Sequence, residues 1–367
     1  MQKKHLSYRL KTTVALIAMV TAALSSAAAG DGESLEATDG KSRIAGEYRN
    51  TVTAGERARK ARKGIIIIGS GKNTRAVEPY SGSMENALGY ADIVNRYDSL
   101  FGTQAKVYCM VIPNAVEYYC PDAARQWTKA ERPVIDGIYT RLATSVAPVD
   151  VYTTLGEHAS EDIYSRTDHH WAPLGAYYAA QTFADVAGVP FMPLDSYEER
   201  TVNNYVGTMY RFSRDMSVKR APEKFVYHVP RNVDFSTTYI NYTLNADRTE
   251  VTSETEPGEG EFFLNYSDGS SGAYCTFMGG DTKTVSVRTS TGNGRRLLIL
   301  KDSYGNALPG YLFGSFEEIH VVDCRYFTKN MTQYVSEKGI TDILFANNLI
   351  HASMTRIAEN YANYLIQ

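Results

Sequence analysis

A chain of 367 residues with 38 Lys+Arg against 41 Asp+Glu carries a formal net charge of −3, which gives no general case for nucleic-acid or anionic-membrane binding. The length and a 43% hydrophobic content support a large core and usually more than one compact unit. Four cysteines, Cys109, Cys120, Cys275 and Cys324, lack the spacing of a zinc site.

The first residues read as an export signal. Lys3, Lys4, Arg9 and Lys11 form a basic region, Thr12 to Leu24 is apolar but too short to span a bilayer, and Ala27-Ala28-Ala29 offers a small-residue cleavage site. The expectation is a signal peptide over 1–29 and a periplasmic or extracellular protein. Those 29 residues hold four Lys/Arg and no acid, so the remainder carries −7. An exported chain permits disulfides. Cys109 and Cys324 nevertheless fall in or beside apolar runs, as buried thiols do, and no pairing follows from spacing.

Residues 30–62 are polar and end in a basic run from Arg57 to Lys63, which predicts a flexible lead-in. Ile65 to Ile68 reads as a buried strand, 84–101 as a helix through Leu88, Ala91, Ile93, Val94, Tyr97 and Leu100, and Lys106 to Ile112 as a second buried strand. A helix over about 132–145 and a strand from Val149 to Tyr152 follow. Pro173 suits a first helical turn, and Tyr177, Ala180, Phe183 and Val186 continue that helix to Gly188. Residues 196–292 change texture to Thr, Tyr, Asn, Ser and short alternating runs, a β-rich insertion expected to lie largely outside the core. Strands return at Leu297–Leu300, Ile319–Val322 and Ile343–Ala346, each before helix-like sequence. Alternating strands and helices predict an α/β fold: one parallel sheet covered on both faces, built from 63–195 and 293–367.

Two strings carry chemistry. Thr167-Asp168-His169-His170-Trp171 precedes a helix, and in an extended loop Asp168 and His170 would share a side while His169 faces away. Lys301-Asp302-Ser303-Tyr304-Gly305-Asn306 places a serine where a strand should give way to a helix. A hydroxyl nucleophile needs a base and a group that orients the base. Ser303, His170 and Asp168 can fill these roles, with the Tyr304 amide as an oxyanion donor at the helix start. A bland alternative exists for each: a capping serine, and histidines packed near a helix start. Gly69-Ser70-Gly71-Lys72 lacks phosphate-loop spacing and reads as a turn. Tyr205, Tyr210, Phe212, Tyr239 and Tyr242 are candidates for stacking on sugars, or simply for packing.

The two strings resemble the signatures of the DHHW family, and Pro113, Phe277-Met278-Gly279-Gly280 and Asp323-Cys324-Arg325-Tyr326 fit the same resemblance. That family is similar to the SGNH-like enzymes of alginate O-acetylation, in which an Asp-x-His pair precedes the nucleophilic serine. Ordinary SGNH hydrolases have the serine first. The order here implies a circularly permuted, SGNH-like three-layer α/β/α sandwich with a β-rich insertion. By the same resemblance Asn347 falls at the oxyanion asparagine, with Asn348 as a fallback. The second-strand glycine of the hydrolases is absent, and Arg325 stands nearby, either to bind an anionic substrate group or to pair with Asp323.

These readings lead to an exported acyl-ester enzyme acting on a cell-envelope or secreted polysaccharide, by O-acetyl transfer without a cofactor or metal. The partners expected are the polysaccharide and a membrane-bound acyl-transfer protein, with no nucleic acid. Competing readings are a carbohydrate O-acetyl esterase, a non-catalytic polysaccharide-binding or assembly protein, and a metal site on Asp168, His169 and His170. Zinc needs three or four convergent ligands, which an outward His169 would deny.

Overall fold

The computed structural model describes residues 48–367. The signal-peptide reading and residues 30–47 of the lead-in fall outside them. No helix among the described residues is long and apolar enough to cross a membrane.

The core is a nine-stranded sheet. Five strands run parallel in the order Glu318–Asp323, Arg296–Lys301, Asp342–Asn348, Lys106–Ile112, Ala147–Pro148. The three central ones have continuous apolar runs, such as Val107 to Ile112, because both faces are covered. Neighbouring residues along a strand point to opposite faces. Phe345 accordingly meets Tyr97 and Tyr361 edge-on at 5.0 and 5.2 Å, from helices Met84–Phe101 and Thr355–Tyr364. Tyr108 meets Phe183 of helix Pro173–Ala187 on the other face at 5.1 Å. The result is three layers, α/β/α. Parallel order brings the carboxyl ends of the strands to one edge, where open α/β sheets place their sites.

Five expectations are corrected. Ile66–Ile68 lies outside the parallel sheet, as the middle strand of a small antiparallel sheet with Ala58–Lys60 and Arg75–Val77. Its apolar run arises because Ile66 and Ile68 join the main core while Ile65 and Ile67 pack on Met209 and Val218. The end of the presumed lead-in is therefore ordered by strand pairing. In place of a strand at 149–152, Ala147–Pro148 is a two-residue strand and Val151–Glu157 a helix, started by Asp150 accepting from the Thr153 amide.

The 196–292 segment does not stay apart from the core. Tyr197–Tyr205 and Glu223–Pro230 form a separate pair, but Lys283–Thr289 joins the main sheet antiparallel to Glu318–Asp323, and Phe235–Leu244 pairs onto it. The alternating texture marks antiparallel strands that extend the sheet beyond its parallel half. Finally, Arg296–Lys301 leads into two short 3₁₀ turns, Ser303–Ala307 and Pro309–Leu312, rather than an α-helix.

Candidate active site

Ser303 stands at the carboxyl edge of the sheet, on the first residue of its 3₁₀ turn. Asp302 fixes that turn. It is fully buried, one oxygen accepting from the Tyr304 amide at 2.9 Å and the other from the Asn348 amide at 2.7 Å. The serine turn is thereby tied to the end of the adjacent strand. His351 Nδ1 lies 3.2 Å from the same carboxylate. Burial works against the Asp302 charge, but His351 and the two amides prevail and hold its pKa below the usual range.

The second string reaches Ser303 from the other side. His170 Nε2 lies 2.8 Å from Ser303 Oγ, and His170 Nδ1 lies 2.6 Å from Asp168 Oδ1. Asp168 Oδ2 accepts from the Thr208 amide at 2.7 Å and its hydroxyl at 2.8 Å. Burial raises the Asp168 pKa, yet the imidazoles of His170 and His169 and these hydrogen bonds outweigh it and leave the group well below the carboxylate range. Asp168 is therefore an anion that fixes the His170 ring with Nδ1–H toward itself and Nε2 free to accept from Ser303.

Packing holds the loop in place. The His170 ring stacks on Tyr274 at 3.8 Å with 4° between planes. The hydroxyl of Tyr274 and the indole N–H of the buried Trp171 both donate to the Tyr304 carbonyl, at 2.8 and 2.9 Å. One carbonyl thus joins the histidine loop to the serine turn. Behind the loop, Glu223 accepts from the Ser165 hydroxyl at 2.6 Å and from the Arg166 and Thr167 amides at 2.8 and 2.7 Å. A cavity of about 470 Å³ lined by Arg166, Glu223, Phe225 and His228 lies on this rear side and does not include Ser303.

His169 does not face away, as strict alternation required. The backbone from 166 to 170 bends instead of running extended. The two imidazoles sit 3.8 Å apart, and His169 Nδ1 meets Thr208 Oγ1 at 2.6 Å. Thr208 gives its only hydroxyl proton to Asp168, so it accepts from His169 Nδ1–H. Burial, then the neighbouring His170, lowers the His169 pKa to about 4, so this ring is neutral at pH 7. Asp168, His169 and His170 each offer a donor atom within 4.8 Å of the others, a spacing that could hold a metal ion. The facing Nδ1 atoms are already engaged by Asp168 and Thr208.

The remaining candidates are placed differently from expectation. The Tyr304 amide is consumed by Asp302 and is not a free oxyanion donor. Asn347 is fully buried, and its oxygen accepts from Tyr90 and Tyr361 at 2.8 and 2.9 Å on the helix-covered face. Asn348 donates to the Ile112 carbonyl and Asn114, a brace between strand ends. Arg325 is gripped by Asp323 at 2.7 and 2.8 Å and by Asp281 at 2.9 Å. Buried Lys301 completes this network, 2.8 Å from Asp323. Of the two readings of Arg325, the ion pair is the one the geometry contains, though with a buried partner rather than on an open surface. Tyr205, Tyr239 and Tyr242 are buried, whereas Tyr210 and Phe212 are only half-buried. All four cysteines are free. Thr208, Tyr274 and His351 carry no signal in the sequence, because each is an ordinary residue in its own segment.

The DHHW protein family model matches residues 52–322. A DHHW family protein from Eubacterium siraeum is similar at 36% identity, covering 84% of this chain and 99% of its own, with a TM-score of 0.74. Bacillus cereus PatB1, solved alone and with a sulfonyl adduct, shares the fold at 16% identity, with TM-scores of 0.58 and 0.60. Each PatB1 comparison covers 82% of this chain, and 99% and 98% of PatB1. No curated protein matches the chain. The architecture is SGNH-like α/β with a mainly parallel central sheet, and the chain belongs to the DHHW protein family.

Proposed function

We propose that this protein is an exported O-acetyltransferase that acts on a cell-envelope or secreted polysaccharide through Ser303, His170 and Asp168. One observation carries the reading: Ser303 Oγ, both His170 ring nitrogens and the Asp168 carboxylate form an unbroken hydrogen-bonded line. Such a line can move a proton off a hydroxyl as it attacks an ester carbonyl.

In the first half-reaction Ser303 Oγ bonds to the acetyl carbon while its proton passes to His170 Nε2. Asp168 stabilises the imidazolium that forms. Collapse of the tetrahedral intermediate breaks the ester C–O bond, and the leaving oxygen takes the proton from His170. A sugar hydroxyl then repeats the sequence in reverse: it loses its proton to His170, bonds to the acetyl carbon and releases Ser303. The Ser303 amide is the backbone donor left for the oxyanion, since the Tyr304 amide is engaged and no acceptor contacts Ser303 N among the described residues. A membrane-bound acyl-transfer protein would supply the acetyl group.

Hydrolysis shares the first half-reaction, so the test must include an acceptor. Purified protein should release acetate slowly from an acetyl ester and transfer acetyl to a glycan when one is added. Release to water alone, unchanged by any glycan, would make it an esterase. PatB1 was captured with a sulfonyl adduct, which supplies a reagent class for trapping. Absence of turnover, together with no labelling of Ser303 by a sulfonyl fluoride, would leave the binding-protein reading as the better account.

A further inference from the structure

The mildly acidic chain conceals a strongly basic face beside the site. Residues 57–63 carry Arg57, Arg59, Lys60, Arg62 and Lys63, and residues 211–220 carry Arg211, Arg214, Lys219 and Arg220, against Asp215 as the single acid in the two spans. All nine cations are exposed, and Lys60 alone among those with a ring contact turns aside, toward Trp127 at 5.2 Å. Among the described residues only Arg59 has a carboxylate partner, Asp215. The two spans lie far apart in sequence. They meet because Ile67 of the small antiparallel sheet and Ile65 just before its strand pack with Met209 and Val218.

The face is built around aromatic rings. Lys63 and Arg211 lie 5.5 and 5.4 Å from the Phe212 ring centre, and Lys219 lies 5.4 Å from that of Tyr210. Phe212 in turn lies 5.7 Å from His169, whose ring contacts His170. The basic face therefore runs up to the catalytic histidine. Two of its members, Lys63 and Arg214, hold left-handed backbone, with φ of 58° and 54°. That conformation is uncommon for residues with side chains and collects at ligand-binding positions.

We propose that this face binds an anionic glycan chain and leads it to Ser303, so that the acetyl acceptor is a polymer bearing carboxylates or phosphodiesters. The substrate class rests on the acyl-transfer reading, whereas the binding surface stands without it. The eight exposed cations without a carboxylate partner attract a polyanion, and the half-buried rings give sugar faces something to stack on. A lipid bilayer fits less well, because Met216 is the only large apolar side chain exposed in the two spans, too little for insertion.

The test uses the full chain carrying Ser303→Ala, which separates binding from turnover. Its affinity is measured for a polyuronate, a phosphodiester-linked glycan, a neutral glycan, and vesicles of anionic lipid. The proposal expects binding to at least one anionic glycan that weakens as salt rises, and a loss of about tenfold or more on charge reversal with K63E/R211E/R214E. Reversal of exposed cations elsewhere, R96E/K338E, should leave binding in place. The preference between the two anionic glycans identifies the acidic group. Equal binding to the neutral glycan, binding that survives charge reversal, binding to vesicles alone, or no binding at all would each overturn the proposal. Thermal melts of the variants exclude unfolding as the cause. If the wild-type protein turns over acetyl esters but binds no anionic glycan, this inference fails while the catalytic reading stands. Binding without turnover gives the opposite result.

Discussion

Gly207 packs so closely on Asp168 that a Cβ at this position would overlap the carboxylate. The approach lets the next residue, Thr208, give both its amide and its hydroxyl to Asp168 Oδ2. Gly207→Ala should therefore push the loop off Asp168. We expect a loss of about 1–3 kcal/mol of stability, read from urea denaturation, and a fall in acetyl-ester turnover of roughly tenfold or more as the His170 ring loses its fixed orientation. Wild-type stability and activity in the alanine variant would show that the carboxylate has room to move.

Ser303→Ala removes the hydroxyl proposed as the nucleophile and little else, because the turn is held by Asp302 rather than by the serine side chain. Turnover should fall by roughly three orders of magnitude or more. The urea midpoint should move by no more than roughly 0.5 kcal/mol in stability terms. Retained turnover would transfer the nucleophile's role to another residue.

The two histidines should separate sharply despite their contact. His170→Ala deletes the ring that touches Ser303 and Asp168, so its loss should rival that of Ser303→Ala. His169→Ala removes a neutral ring bonded to Thr208 and leaves both Thr208 bonds to Asp168 possible. Its cost should be about tenfold or less, a moderate loss of packing rather than of chemistry. Steady-state kinetics on one acetyl ester decide the matter, and equal losses would contradict this division.

The His351–Asp302 pair should make stability depend on pH. Burial opposes the His351 charge, but Asp302 prevails and raises its pKa in the folded protein. A raised pKa means that the folded state holds the proton more tightly than the unfolded chain, whose histidine titrates near about 6.5. This contribution is complete below that value and is lost as pH rises through the higher folded pKa. The urea midpoint should thus decline on the alkaline side of about 6.5, and His351→Gln should flatten that decline. An unchanged pH dependence in the variant would exclude the pair as its source.

Asp168 titrates in the opposite direction. Its pKa is lowered in the folded protein, so its contribution is present above the unfolded value of about 3.9 and is lost as pH falls through the folded one. Asp168→Asn should reduce stability at neutral pH and weaken the acid dependence, measured by the same urea titration.

Much of this protein was determined by short-range pattern. Buried parallel strands show as unbroken apolar runs, and Lys106–Ile112, Arg296–Lys301 and Asp342–Asn348 lie where those runs fall. A serine after such a run and an Asp-x-His before a helix are also local facts, and they singled out Ser303, His170 and Asp168. Tertiary structure decided the rest. The run at Ile65–Ile68 has the same apolar pattern as a parallel strand, and only its partners, two neighbouring antiparallel strands, determine its sheet. His169 lies beside His170 instead of opposite it because period-two alternation holds for extended backbone, whereas 166–170 bends. The Tyr304 amide has the chain position of an oxyanion donor, but the folded turn gives it to Asp302. Thr208, Tyr274 and His351 have no local signature, since each acts through a partner distant in the chain: Asp168, His170 and Asp302. The same holds for the basic face, in which two ordinary charged segments become one surface only when isoleucines 65 and 67 dock on Met209 and Val218. Spacing along a chain reports which groups a segment can present; the packing of distant segments decides which groups meet.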